Sequence, residues 1–290
     1  MQKIIITGAF GQLGRACLKV LKNNYSLLAV DRQIPTDYEG INYAMADITN
    51  PEVVKDLLSF EPEIILNLAA LTNVDVCESN SEDAKIINTE AVKLLQHNFK
   101  GHFIQMSTDY VFNGKNGPYS EADKTDPISV YGHTKLAAEK WLNKNCRKLT
   151  IIRTNVVYSY GYSKASFVKW VIESLKDGIP IKVVIDQWNN PTWTCALAEI
   201  IEKVVNKKLY GLFNYGGAEI MNRYDFARKI AREFKLEESL ISPITTAELN
   251  QTAPRPLKGG LKTEKLEKAL EIRPLSVETC LHLIRLRMDS

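Results

Sequence analysis

The segment Lys3-Ile4-Ile5-Ile6-Thr7-Gly8-Ala9-Phe10-Gly11-Gln12-Leu13-Gly14 turns from an apolar, β-branched run into glycines spaced G-x-x-G-x-x-G. An unbroken apolar run predicts a strand buried on both faces, as parallel strands are. Glycine at its end permits a tight turn. It also lets backbone approach a pyrophosphate seated on the N-terminus of the next helix, expected over Gly11–Leu21. Gly8, Phe10, Gly11, Gln12 and Leu13 are therefore candidate cofactor-binding positions. The second predicted strand, Leu27–Val30, leads to Asp31, 17 residues after Gly14. A carboxylate there can accept the hydroxyls of an adenosine ribose, and equally suits a strand-end turn. Arg32 beside it can pair with a 2′-phosphate. Asp47, followed by Ile48, ends a third short strand, where it can reach an adenine or act as a local cap.

Further along, Ile64–Leu68, His102–Ser107 and Leu149–Arg153 read as strands. Helical stretches separate them. One starts at Thr49-Asn50-Pro51-Glu52, with a polar cap, proline in the first turn and an acid near the positive end of the dipole. Another spans Ser81–Asn98, with Ile86, Ile87, Val92, Leu94 and Leu95 as its apolar positions. Such alternation predicts an α/β fold: a Rossmann-type, doubly wound parallel sheet with crossover helices on both faces. After about residue 155 the rhythm loosens. Helices are expected at Ala165–Lys176, Ala196–Val205, Tyr224–Phe234 and Val277–Arg287, and a strand at Ile181–Ile185. This divides the chain into a dinucleotide-binding domain, 1–155, and a smaller C-terminal lobe, 156–290, mainly for substrate. No linker separates them, so the two are expected to interleave.

Composition narrows the function. The chain has 290 residues, 45% hydrophobic and 24% charged, which excludes a disordered chain and a membrane bundle. The net charge, 37 − 34 = +3, without a basic tract, argues against nucleic acid. No apolar run approaches the ~18 residues of a membrane span, and no secretory signal is expected at the N-terminus. Five scattered cysteines (Cys17, Cys77, Cys146, Cys195, Cys280) suggest buried thiols in a reducing cytoplasm. No His, Cys, Asp or Glu cluster has metal-ligand spacing, so no metal is assigned.

Tyr131-Gly132-His133-Thr134-Lys135 opens a predicted helix. The i, i+4 spacing puts the Tyr131 phenol and the Lys135 ammonium on one face. A nearby ammonium favours phenolate, which would lower the Tyr131 pKa from ~10 toward working pH and suit a general acid for a carbonyl oxygen. Lys135 can also hold a nicotinamide ribose. His133, at i+2, is expected to point away. Ser107-Thr108 ends the fifth strand, where sheets of this class present ligand-facing residues, and a hydroxyl there can bond a carbonyl. A second Y-x-x-x-K, Tyr160–Lys164, lies in a Gly/Ser/Tyr-rich stretch and reads as loop.

Taken with Asn67-Leu68-Ala69-Ala70, Asn88-Thr89-Glu90-Ala91, Ser107-Thr108-Asp109-Tyr110-Val111-Phe112, Arg153-Thr154, Asp186–Thr192 and Arg255-Pro256, these motifs resemble the extended short-chain dehydrogenase/reductase family, in its dTDP-4-dehydrorhamnose reductase branch. The resemblance spans nearly the whole chain. It implies NAD(P)H-dependent reduction of the C4 keto group of a nucleotide-linked 6-deoxyhexulose, dTDP-4-dehydrorhamnose to dTDP-L-rhamnose, with NADPH as cofactor and NADH also usable. Thr108, Tyr131 and Lys135 would be the catalytic set. Ala69 and Ala70 would line the cofactor cleft, and Asn88 would support the site. Thr108, Asp109, Val156, Val157, Trp188 and Arg255 would face the sugar nucleotide. The partner is that small molecule, and a homodimer is compatible. Another sugar-nucleotide reductase, an epimerase, or a regulatory subunit like the β subunit of methionine adenosyltransferase are the alternatives. Related 4,6-dehydratases carry Ser-Thr-Asp-Glu at the fifth strand. Here Tyr110 stands in place of the Glu, so Asp109 is expected as a turn or capping residue. The chain also lacks the family's Trp between Arg153 and Tyr158, its Gly at Asn189 or Asn190, its Tyr at Leu71 and its Ser after Arg255-Pro256.

Overall fold

The computed structural model describes residues 1–35, 40–161 and 166–288. Strand β1 (Lys3–Thr7) is an interior strand of a seven-stranded sheet. Beside it lie β2 (Ser26–Asp31) and the edge strand β3 (Asn42–Met45). On its other side come β4 (Ile64–Asn67), β5 (His102–Thr108) and β6 (Leu149–Thr154). Every pairing in this sheet is parallel. The unbroken runs predicted as doubly covered strands are that: β4, β5 and β6 are buried throughout.

Helices cover both faces. Helix α1 (Gln12–Leu21) follows the glycine turn. Helix α2 (Pro51–Leu58) starts as its cap signature requires, with Asn50 Oδ1 accepting from the Glu52 N–H at 3.0 Å. The expected 81–98 helix is more elaborate. A short α3 (Val74–Ser79) precedes it, and α4 (Ser81–Lys85) and α5 (Ala91–His97) are joined by a π-helical turn, Ile86–Glu90. The wider turn shifts the register, so Ile86 is exposed, not in the core. Helix α6 (Val130–Asn145) carries the Tyr131/Lys135 pair. Helices α2, α5 and α6 pack Val54, Leu95 and Leu142 against one face of the sheet.

The second half contributes β7 (Val157–Tyr158), α7 (Phe167–Lys176), β8 (Ile181–Val184), β9 (Trp188–Asn189), β10 (Thr192–Trp193) and α8 (Thr194–Lys207). It continues with β11 (Gly211–Asn214), β12 (Met221–Asn222), α9 (Arg223–Glu233), β13 (Ile241–Ile244), α10 (Glu264–Leu270) and α11 (Val277–Met288). Three of these belong to the first layer. Strand β11 pairs with β6 and completes the sheet, α8 packs on α1 over its other face, and α10 packs on β11 with Leu266 and Leu270 in the same core. Sequence reading missed β11, which is short and opens on glycine. The remaining elements close a separate core around Tyr158, Phe226 and Leu281. In the loop reading of Tyr160–Lys164, Lys164 lies outside the described residues, as does Ala165 at the expected helix start.

Candidate active site

A cavity of about 690 Å³ runs along the C-terminal edge of the sheet. At one end are Gly8, Gly11, Gln12 and Leu13, followed by Asp31, Arg32, Asp47 and Ile48. Gly8 has φ +63°, and a Cβ there would meet the Ala69 nitrogen at 2.8 Å. The turn therefore requires glycine twice over, for conformation and for close approach. Helix α1 begins without a side-chain cap and without an acid in its first turn. Its first N–H groups and the positive end of its dipole are left to an anion.

Asp31 serves the loop directly. Its Oδ2 accepts from the Phe10 N–H at 3.0 Å and its Oδ1 from the Arg32 N–H at 2.8 Å. Phe10 gives the loop that N–H, while its ring packs on the core and is not in the cavity wall. Asp47 is both a cap and a wall residue. Its Oδ1 accepts from the Thr49 N–H and hydroxyl at 2.9 and 2.8 Å, and these bonds hold its carboxyl below the usual range. Ala69 and Ala70 line the middle of the cavity.

At the other end stand Thr108, Asp109, Tyr131, Lys135, Val156 and Val157. Ser129 caps α6 by accepting from the Gly132 N–H at 3.3 Å. A Cβ on Gly132 would lie 2.2 Å from the Tyr110 carbonyl, so glycine lets α6 press against the 109–111 turn. This contact sets the Tyr131 ring edge-on to Tyr110, centroids 5.5 Å apart. Asn88, in the π-helical turn, accepts from the Leu71 N–H at 2.8 Å. It donates to the Leu71 carbonyl at 3.1 Å and to Thr134 Oγ1 at 3.2 Å, tying this loop to α6. His133 is exposed on the far side, as its spacing predicted.

The electrostatics correct one expectation. Enclosure by protein drives the Tyr131 phenol above its ordinary value, outweighing the hydrogen bond from Thr108 that pulls it down. It also outweighs the lowering expected from Lys135. The same burial pushes Lys135 down to about 8, against the Glu139 carboxylate and the Cys77 thiol, which raise it. Asp109 opens the 109–111 turn, as expected, and also lies in the cavity wall, where burial pushes it up to about 6. It accepts from Asn155 Nδ2 at 3.2 Å and from the Thr108 hydroxyl at 3.3 Å.

Arg223 was not foreseen. It is the first residue of α9, behind an Asn222 cap that accepts from the Asp225 N–H at 2.8 Å. That cap announces a helix start but not where the next side chain goes. The Arg223 guanidinium lies 5.3 Å from the Phe167 ring centroid and forms part of two cavities. The second cavity, about 330 Å³, shares Val74, Tyr110 and Arg223 with the first and adds Phe167, Trp170, Lys182 and Arg255. Arg255 is held by Asp75, Nη2 to Oδ2 2.7 Å. Trp188 is 40% exposed on β9 and lines neither cavity. Asn155, also unforeseen, lines the first. No cluster of metal-ligating side chains occurs among the described residues.

Comparison with known proteins identifies the family. The family model for the RmlD substrate binding domain matches residues 1–285. A dTDP-4-dehydrorhamnose reductase of Aggregatibacter actinomycetemcomitans is 32% identical, covering 98% of this chain and 99% of its own. Methionine adenosyltransferase 2 subunit beta of Danio rerio is 30% identical, covering 96% and 87%. The crystal structure of dTDP-4-dehydrorhamnose reductase from Bacillus anthracis in complex with NADP superposes with a TM-score of 0.89 at 29% identity, covering 99% and 100% of the two chains. The chain belongs to the RmlD family of extended short-chain dehydrogenase/reductases.

Proposed function

We propose that this protein reduces the C4 keto group of a nucleotide-linked 6-deoxyhexulose with NAD(P)H, converting dTDP-4-dehydrorhamnose to dTDP-L-rhamnose. The observation that carries this reading is the meeting of Thr108, Tyr131 and Lys135 at one end of a cavity whose other end is the glycine loop. The uncapped start of α1 and the Cβ-free approach at Gly8 fit a dinucleotide pyrophosphate. Asp31 and Arg32 fit the adenosine ribose, with Arg32 favouring the 2′-phosphate of NADPH and NADH also accepted.

Held along the glycine loop, Ala69, Ala70 and Lys135, NAD(P)H would supply the hydride for C4. Tyr131 donates its phenolic proton to the C4 oxygen, completing the alcohol. Its raised pKa keeps the proton in place at neutral pH. Thr108 orients the carbonyl oxygen, and the Lys135 ammonium stabilises the phenolate that Tyr131 becomes. The diphosphate and base extend into the second cavity, where Arg223, Arg255 and Lys182 supply positive charge and Phe167 and Trp170 supply ring faces. Residues 1–155 thus mainly hold cofactor and 156–290 mainly substrate. We place the enzyme in the cytoplasm.

Turnover of dTDP-4-dehydro-6-deoxy-L-mannose, followed by NADPH oxidation and NMR of the product, tests the reading. One alcohol should form per NADPH consumed. Formation of a 4-keto-6-deoxy product from dTDP-glucose with catalytic NAD, without net NAD(P)H consumption, would overturn it. The zebrafish relative favours one second reading, a regulatory subunit. Stable co-purification with a larger enzyme, together with no turnover, would support it.

A further inference from the structure

One turn beyond Lys135 on α6 stands Glu139, 2% exposed. Its Oε1 accepts from Arg153 Nε at 3.0 Å and from the Ser107 hydroxyl, and its Oε2 accepts from Arg153 Nη2 at 2.6 Å. Arg153 lies directly across from Ser107 in the β5–β6 register, and its guanidinium is 5.1 Å from the Phe112 ring centroid. Its Nη1 is buried without a partner. Three elements therefore meet at this carboxylate: β5 one residue before Thr108, β6, and the helix carrying Tyr131 and Lys135. The reduction chemistry uses none of the three side chains.

Desolvating a carboxylate and a guanidinium is costly, and a close-packed apolar trio would serve packing as well or better. The spacing suggests what the pair does. Tyr131, Lys135 and Glu139 follow at i, i+4 and i+8, so they share one face of α6. The groups acting on Lys135 are Glu139 from α6 and the neutral Cys77 thiol from α3. Those facing Glu139 are Lys135, Arg153 from β6 and Ser107 from β5. Glu139 is thus the carboxylate that opposes the desolvation of Lys135, and Arg153 draws on the same charge.

We propose that Glu139 is a positioning residue that keeps Lys135 in its ammonium form, with Arg153 setting how much of the carboxylate's field Lys135 receives. The inference rests on the role given to Lys135 above. It predicts opposite effects for two substitutions. Glu139→Gln keeps the shape and removes the charge, so Lys135 should lose its proton at lower pH. Arg153→Met leaves the carboxylate to Lys135, so Lys135 should hold its proton to higher pH.

The measurement is the titration of Lys135 by NMR in protein labelled with ¹³Cε-lysine, assigned with Lys135→Met. It needs neither substrate nor turnover. A downward displacement of about one pH unit, tenfold in proton affinity, is expected for Glu139→Gln, and an upward one for Arg153→Met. The basic limb of kcat/KM for the keto-sugar nucleotide should move the same way in each variant, and Glu139→Asp should restore part of the wild-type profile. If Glu139→Gln does not fold, Arg153→Met carries the test through the sign of its shift. Lys135 titrating at the wild-type pH in the folded variants would overturn the proposal. Displaced titrations with no turnover by the wild type would instead leave the positioning role standing and remove the reductase reading.

Discussion

At the Gly8 end of the long cavity, the groups offered to a ligand are backbone N–H groups and a helix dipole. They come from one short stretch of chain and depend on side chains being absent. At the Arg223 end, the groups offered are long cationic side chains and aromatic faces from α7, α9, β8 and the 255 segment, brought together only by packing. The first arrangement recognises a phosphate wherever a strand, a glycine turn and a helix follow one another. The second can be altered one side chain at a time. In the proposed reading, cofactor binding and substrate choice are held by different kinds of chemistry and should respond differently to substitution.

The largest expected effect lies between the two ends. Tyr131→Phe should lower kcat at least ~10²-fold, the scale of a positioned general acid, while NADPH fluorescence titration gives an unchanged Kd. Near-normal turnover would move the proton source elsewhere, with exposed His133 first in line. Arg223→Met should raise KM for the sugar nucleotide about 10- to 100-fold, the loss of one charge-assisted contact. NADPH affinity should not change, and parallel loss of both would erase the distinction between the ends. A smaller effect concerns pH. Burial raises Asp109 to about 6, so its carboxylate is protonated as pH falls through that value, and kcat/KM should decline on the acid side. Asp109→Asn should flatten that limb, and an unaltered profile would mean that Asp109 does not touch the reaction. The smallest is a ratio. Asp31→Ala should improve NADPH relative to NADH a few-fold. Because Asp31 also holds the Phe10 N–H, both cofactors should bind somewhat more weakly.

What the sequence reveals follows the same division. The glycine loop, Asp31 and the Tyr131/Lys135 pair are legible because their chemistry depends on local spacing. The strands from β1 to β6 are legible because double burial demands unbroken apolar runs. Arg223 is not legible, because a side chain at the first position of a helix goes wherever the next lobe allows. The family resemblance implies Trp188 as a residue facing the sugar nucleotide. However, β9 holds its backbone through the Leu257 carbonyl, at 2.7 Å, and leaves the ring outside both cavities. The raised Tyr131 phenol illustrates the same limit: a neighbouring ammonium is visible in a motif, whereas the enclosure that outweighs it is not.

Strand β11 has a consequence for how the molecule folds and can be divided. It arrives from residues 211–214 to cover the outer side of β6, and α8 closes over α1, so the sheet is finished only after some two hundred residues have been synthesised. A fragment ending at residue 155 would display β6, buried along its whole length in the full chain, as a naked apolar edge prone to pair with other copies. The two halves should therefore melt in one cooperative transition, and the N-terminal half expressed alone should aggregate. Contacts between residues so far apart in the chain should also make folding slow, since long loops must close before the sheet gains its last strand.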